Sequence, residues 1–258
     1  MKLNIVPPKH GALWARLGIR VFWRQPLAFT GLFFLFMAGL SVCSLIPVVG
    51  TFVALALIPA ATLGLMAAVR EVELGKFPMP TILAIAFRAG HAKKRDMLIL
   101  GVLYACGLIG VMMLSSLIDG GDFARLYLLG GALDTDTLMK PEFQNAMWLS
   151  LLFYMPLSML FWHAPALVHW HGVPALKSLF FSLVACLRNW RAFLVYGLFW
   201  TAIFLGTTLL ISLLSALFGD GSFASAALLP AMLMLAAMFF CSVYFSFRDS
   251  FLADTHYA

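Results

Sequence analysis

His163, His169 and His171 are the residues of this chain with the widest chemistry open to them. A neutral imidazole nitrogen is a common ligand for zinc or haem iron. These three stand in an apolar stretch with Trp162 and Trp170 beside them, and they are the candidate metal ligands. Spacing argues for a plainer role. His169 and His171 are two positions apart and face different sides of a helix. At the headgroup level of a bilayer, Trp and His are ordinary anchors, so interfacial anchoring is expected and no cofactor is. Thr201, Thr207, Thr208, Ser212 and Ser215 crowd one short stretch. In an apolar helix such hydroxyls bond across to a neighbour or back to their own backbone, which makes them packing groups. Gly120-Gly121 and Gly130-Gly131 are followed by no lysine and sit in no strand–helix context, so they are not phosphate loops. Cys43, Cys106, Cys186 and Cys241 form no CxxC pair and read as small apolar residues. Paired carboxylates, a nucleophile elbow and a zinc-protease motif are all missing, and the chain is not expected to be an enzyme.

The elements that carry these residues follow from composition. Of 258 residues, 63% are hydrophobic and 11% charged. Soluble domains run at roughly 45–50% apolar and about 25% charged. A soluble chain this apolar could not cover its own core, whereas a bilayer solvates the helix exteriors. The first ten residues show no cleavable signal pattern, and the first hydrophobic span is expected to serve as an uncleaved signal anchor.

A bilayer core needs about 20 apolar residues per helix. Six stretches meet that length: 26–47, 51–69, 97–118, 147–168, 192–218 and 223–247. The first two are separated by a tight turn at Pro47-Val48-Val49-Gly50. Runs of this length satisfy their backbone in lipid only as helices. The expected fold is therefore all-α, a polytopic transmembrane helix bundle forming a single transmembrane domain over 1–258. Alternate connecting segments hold 15 of the 17 Lys and Arg residues, leaving only Arg125 and Lys140 for the other side. The positive-inside rule then puts both termini in the cytoplasm. The net charge of +6 is explained by basic loops beside an anionic leaflet, and no nucleic acid is expected as a partner. The long segment 119–146, on the opposite side, is acidic.

Each basic segment leads into the next span through an amphipathic stretch: 10–24, 79–95 and 173–191. In the first, Arg16, Arg20 and Arg24 share one helical face, and Leu13, Trp14, Leu17, Val21 and Phe22 lie largely on the other. Such helices can lie flat in the headgroup region, apolar face down and cations toward phosphate. Arg16, Arg20, Arg24, Lys93, Lys94, Arg95, Arg188 and Arg191 are the candidate contacts for anionic lipid headgroups. The second and third units align without gaps at an offset of 96, pairing Pro78 with Pro174, Arg95 with Arg191 and Gly101 with Gly197. The first matches more loosely. The pattern reads as three copies of a surface helix plus a transmembrane hairpin. The second helix of each hairpin carries an apolar-Pro-Ala step, making Pro59, Pro165 and Pro230 candidate hinges.

The segment Arg16-Leu17-Gly18-Ile19-Arg20-Val21-Phe22-Trp23-Arg24-Gln25-Pro26-Leu27 is an entry motif, an amphipathic helix followed by Arg-x-Pro and a span. Together with Leu45-Ile46-Pro47-Val48-Val49-Gly50 and Tyr244-Phe245-Ser246-Phe247-Arg248-Asp249-Ser250-Phe251, it resembles an uncharacterised family of proteobacterial six-span integral membrane proteins. The same elements are distantly similar to the membrane domain of some glycerophosphodiester phosphodiesterases. The resemblance implies a multi-pass protein of the bacterial inner membrane. It carries over no catalytic residue, because the phosphodiesterase chemistry belongs to a separate soluble domain.

Asp, Glu, Lys and Arg are essentially absent from the span interiors, which argues against proton or ion relays. The expected role is an accessory or scaffold that binds a partner membrane protein or lipid, or that forms a homo-oligomer. The alternative is a carrier or flippase for an apolar or amphipathic small molecule.

Overall fold

The computed structural model describes residues 2–47, 49–130, 134–218 and 221–252. Val48 of the expected tight turn and Gly131 of the second glycine pair lie outside the described residues. The chain is all-α and polytopic, with six helices long and apolar enough to cross a membrane. In chain order the elements are β1 (Lys2–Leu3), α1 (Lys9–Arg24), α2 (Pro26–Ser44), α3 (Gly50–Glu73), a 3₁₀ segment (Pro80–Ala84), α4 (Ile85–Arg88) and α5 (His91–Asp119). They continue with α6 (Asp122–Leu129), α7 (Thr135–Met139), α8 (Pro141–Phe161), α9 (Ala164–His171), α10 (Ala175–Arg188), α11 (Trp190–Phe218), α12 (Gly221–Ser250) and β2 (Phe251–Leu252). The spanning helices are α2, α3, α5, α8 with α9, α11 and α12. Contacts divide the chain into two compact units.

The first and third surface stretches fold as the expected helices, α1 and α10. The second does not. Pro80 opens a 3₁₀ turn, α4 ends at Arg88, and Gly90 takes an extended conformation as the cap of α5. Lys93, Lys94 and Arg95 therefore stand in the first turns of a spanning helix, not on a surface helix. A glycine between a short helical run and a spanning helix breaks a periodicity that an apolar count alone carries through.

The first unit comprises residues 1–36, 62–85 and 184–258. Its centre is α1 packed on α11 and α12. The buried face of α1 is Gly11, Trp14, Ala15, Gly18, Val21 and Phe22, a clean i, i+3, i+4, i+7 stripe. Leu13 is exposed and Leu17 only half-buried, so the packed stripe is smaller in side-chain volume than the apolar face expected from sequence. A Cβ on Gly11 would meet the Ala192 carbonyl, and one on Gly18 would meet Ser242. Those two glycines let the α1 backbone approach its neighbours at a distance no side chain permits. Across the contact, Ser242, Ser246 and Ser250 recur at four-residue spacing on α12, all fully buried. Lipid tails are as apolar as leucine, so helices in a bilayer associate through close packing and hydrogen bonds between such small residues. Trp14 anchors the stripe, fully buried against Phe193 at 5.3 Å and Tyr196 at 6.2 Å between ring centroids. The apolar face of α1, expected to lie on lipid, is thus taken up by protein. In the same unit Phe33 and Phe36 of α2 pack on Phe240 of α12.

The chain ends also meet in this unit. β1 pairs antiparallel with β2, Lys2 opposite Leu252 and Leu3 opposite Phe251. Both described ends therefore lie on one side, as an even number of crossings requires. Further, Gly64 of α3 admits the backbone of Ile82 and Leu83 from the 3₁₀ segment.

The second unit comprises residues 37–61 and 86–183. Here α5 packs along α8, with α6 and α9 at the two ends of α5. Tyr104 meets Phe161 edge-on at 5.1 Å, and Phe123 meets Phe143 at 5.8 Å. The described residues of the acidic segment after α5 form α6, α7 and the start of α8. Asp119 turns the chain by accepting hydrogen bonds from Gly121 N at 2.8 Å and Phe123 N at 2.7 Å, where Gly120 and Gly121 have positive φ. A carboxylate so placed satisfies the cap N–H and one of the free N–H groups in the first turn of α6.

Gly18→Ala is expected to lower stability by about 1–3 kcal/mol, the usual cost of overpacking. Gly31→Ala, where a Cβ meets nothing within 4 Å, should leave it unchanged or slightly raised. Thermal unfolding of the detergent-solubilised protein reads both, and equal melting temperatures would refute the close approach of α1.

Candidate functional site

Polar groups are scarce in this chain, and the structure gathers them where each hairpin begins and ends. The first hairpin, α2–α3, starts after Arg24 and finishes at Glu73. Arg24 Nη1 donates to Glu73 Oε1 at 2.8 Å, and Arg248 Nη1 stands 3.9 Å from Glu73 Oε2. The pair is half-exposed, a setting in which ion pairs contribute about 0–1 kcal/mol. The second hairpin runs from α5 to α9. Lys93 Nζ, at the start of α5, donates to the His169 carbonyl near the end of α9 at 2.8 Å. A cation on the last carbonyls of a helix also meets the negative end of its dipole.

The third hairpin, α11–α12, is closed through the N-terminal segment. Asn189, buried just before α11, accepts from Val6 N at 2.9 Å and donates Nδ2 to the Asn4 carbonyl at 3.1 Å. Asn4 in turn donates its N–H to the Ser250 carbonyl at 2.8 Å and its Nδ2 to the Asp249 carbonyl at 3.1 Å. The Asp249 carboxylate is the hub of this end. Its Oδ2 accepts from Trp14 Nε1 at 3.0 Å and lies 3.3 Å from His10 Nδ1, and its Oδ1 accepts from Arg248 Nε at 2.9 Å. Arg248 also lies over the Phe245 ring at 4.9 Å. Trp14 is thus fixed twice, by ring packing and by its indole N–H.

A second polar device sits inside the fourth span. α8 stops at Phe161, α9 begins at Ala164, and Pro165 occupies the first turn after the break. The ordinary helical bond across this point would run from His163 N to the Met159 carbonyl. Instead the Ser182 hydroxyl of α10 stands between them, accepting from His163 N at 2.9 Å and donating to Met159 O at 2.7 Å. A side chain inserted into the ladder is one of the few causes of a sharp helix break, and a proline four residues after Phe161 removes the next donor. Pro59 and Pro230 differ, since both lie inside continuous helices.

The three histidines do not converge. His163 is fully buried at the break, while His169 and His171 occupy the last turn of α9, half-buried. Among the described residues, no group of three or more His, Cys, Asp or Glu side chains is placed to hold a metal ion. Cys186 and Cys241 are buried, Cys43 is half-buried and Cys106 exposed. Burial pushes the Cys186 thiol up to about 12, so it carries almost no thiolate at neutral pH. Thr208 donates to its own Phe204 carbonyl at 2.9 Å, a packing role.

The remaining cations face outward. Arg16 and Arg20 are exposed on α1, on a face shared with Leu13 and with Trp23, itself 58% exposed. Lys94 is exposed, Arg95 stands 3.9 Å from Asp96, Arg188 is exposed, and Arg191 lies over the Trp190 ring at 5.4 Å. Asp249, Asn189, Asn4, Glu73 and Ser182 were not singled out as site residues from sequence. Each lies in or beside an apolar run, and the fold supplies its long-range partner.

Six long apolar helices with paired ends define a multi-pass α-helical membrane protein. A protein of Burkholderia thailandensis named a probable inner membrane protein is 41% identical over 254 residues, covering 97% of this chain and 94% of that protein. The chain belongs to that family and is a multi-pass inner-membrane protein. No protein-family profile matches the chain, and no solved structure matches it. The comparisons give no support to the likeness to glycerophosphodiester phosphodiesterases.

Ser182→Ala is expected to remove the bridge between the His163 amide and the Met159 carbonyl, at a cost of about 1–3 kcal/mol. Hydrogen–deuterium exchange of the membrane-reconstituted protein should quicken at the His163 amide, and Ser182→Thr should restore protection. Unchanged exchange in Ser182→Ala would show that the hydroxyl does not hold the break.

Proposed function

We propose that this chain is a non-enzymatic accessory or scaffold protein of the inner membrane, which binds a partner membrane protein through α11 and anionic lipid headgroups through its basic surface. The observation that carries the reading is the unequal burial of the spans. Of the most apolar window of α11, 11% is buried within the chain, against 56% for α3. α11 exposes small residues on two sides, Gly197 with Thr201 on one and Ala202 with Gly206 on the other. Around Gly197 and Gly206 a Cβ would meet nothing within 4 Å. Notches of this kind let a second membrane helix approach closely, and they are what transmembrane interfaces are built from. At the basic end, α1 cannot give its apolar face to lipid, so Arg16, Arg20, Leu13 and Trp23 form the surface left to meet headgroups. A rigid helix presenting cations and a tryptophan suits an anionic leaflet. The segregation of basic residues supports both termini lying in the cytoplasm.

The broken fourth span supports a second reading. Discontinuous helices are common at the binding sites of carriers, and a carrier or flippase for an apolar or amphipathic small molecule would use such a break as its moving part.

Capture of the full chain by a C-terminal tag from native membranes tests the first reading. A stoichiometric membrane partner is expected, and Gly206→Leu should reduce its recovery about tenfold without changing the melting temperature. The tag should be cut by protease in inverted vesicles and protected in right-side-out ones. A preparation free of partner protein, but active in moving a labelled lipid across liposome membranes, would overturn this reading in favour of the carrier.

A further inference from the structure

A cleft of about 190 Å³ opens in the second unit, between the ends of α2 and α3 that flank residues 45–49 and the side of α6. Its lining is graded. Ser44 and Thr51 stand at the helix ends beside the turn, Ser41 lies about one turn further in, and Tyr127 comes from α6. Leu40, Leu55 and Ile58 form the deeper wall. At a rise of about 1.5 Å per residue, Leu40 lies about 6 Å and Ile58 about 10 Å further along their helices than those hydroxyls. None of the lining residues is charged. Two of the three helices that build the cleft, α2 and α3, are spanning helices, so Leu55 and Ile58 lie at acyl-chain level and the ends of α2 and α3 at headgroup level; α6 is not a spanning helix.

We propose that this cleft binds one lipid without net charge, with an acyl-chain segment along Leu40, Leu55 and Ile58 and its head hydrogen-bonded at Ser44, Thr51 and Tyr127. The gradient from hydroxyls to aliphatic side chains matches an amphiphile aligned with the bilayer normal. The absence of cations from the lining excludes the charge complementarity that an anionic head needs once partly desolvated. Size sets the mode of binding. Pockets that enclose a whole small molecule measure about 300–1,000 Å³, so this one holds part of a chain while the rest stays in the bilayer. In the orientation proposed above, the lipid comes from the outer leaflet. The site differs in chemistry from the basic surface of α1, and it does not depend on a protein partner.

The test uses the full-length protein, delipidated in detergent and titrated with phosphatidylethanolamine or phosphatidylglycerol, with bound lipids counted by native mass spectrometry. One phosphatidylethanolamine should bind at least tenfold more tightly than the next. That affinity should fall at least tenfold in Thr51→Trp, which fills the mouth. Arg16→Ala with Arg20→Ala should weaken phosphatidylglycerol binding only. Should Thr51→Trp fail to give monodisperse protein, Ser41→Leu, which adds apolar volume to the same lining, carries the same expectation. Preference for phosphatidylglycerol at the saturable site, or phosphatidylethanolamine binding unchanged by a folded cleft variant, would overturn the assignment.

Discussion

The half-buried carboxylate of Asp249 holds together parts of the chain that lie far apart in sequence, and the arrangement of the first unit depends on it. It accepts the indole N–H of Trp14, lies beside His10 and takes the Arg248 guanidinium, all at the end of α12. In water, Trp14 would dock for hydrophobic reasons alone. Beside lipid that force is weakened, and the charge-assisted hydrogen bond to Asp249 adds both strength and direction. The same bond fixes the rotation of α1, because Trp14 lies on the stripe with Gly11 and Gly18. Once the indole is set, only those glycines fit against the backbones of Ala192 and Ser242.

Fixing α1 reveals a rule of connection. α1 does not pack chiefly on the hairpin it leads into. It lies on α12, the second helix of the last hairpin. The 3₁₀ segment before the second hairpin approaches α3, the second helix of the first, at Gly64. α10, before the third hairpin, inserts Ser182 into the second helix of the second. Each surface segment thus sits on the preceding hairpin, and the first takes the last in the place of a predecessor. Each hairpin is also closed by its own polar contact, through Glu73, the His169 carbonyl or Asn189.

The spans and the helices α1 and α10 were legible in the sequence, because apolar length and 3.6-residue periodicity report burial away from water, though not whether lipid or protein provides it. The class of protein followed from them. The second surface stretch was misjudged, since Gly90 ends a helical run without interrupting the apolar and basic pattern around it. On α1, counting large apolar residues pointed to Leu13 and Leu17, whereas the packed stripe is built on Gly11, Ala15 and Gly18. Small residues have no hydropathy signal strong enough to mark a helix interface. The polar contacts were hidden for a different reason. A lone Asn189 or Ser182 looks like any interfacial residue until the fold brings Val6 or Met159 to it. The closing Arg248-Asp249 pair was visible as part of a motif, but its role as the hub of the first unit needed Trp14 and His10 beside it.

The central claim is that the two ends of the chain are held together on one side of the membrane. Cysteines placed at Leu3 and Phe251, opposite each other in the β1–β2 pair, test it in native membranes under mild oxidation. An intramolecular disulfide joining those two positions, identified by peptide mass, is the predicted result, and it should weaken when Asp249→Ala is added. Free thiols, or disulfides formed only between separate copies of the chain, would contradict it.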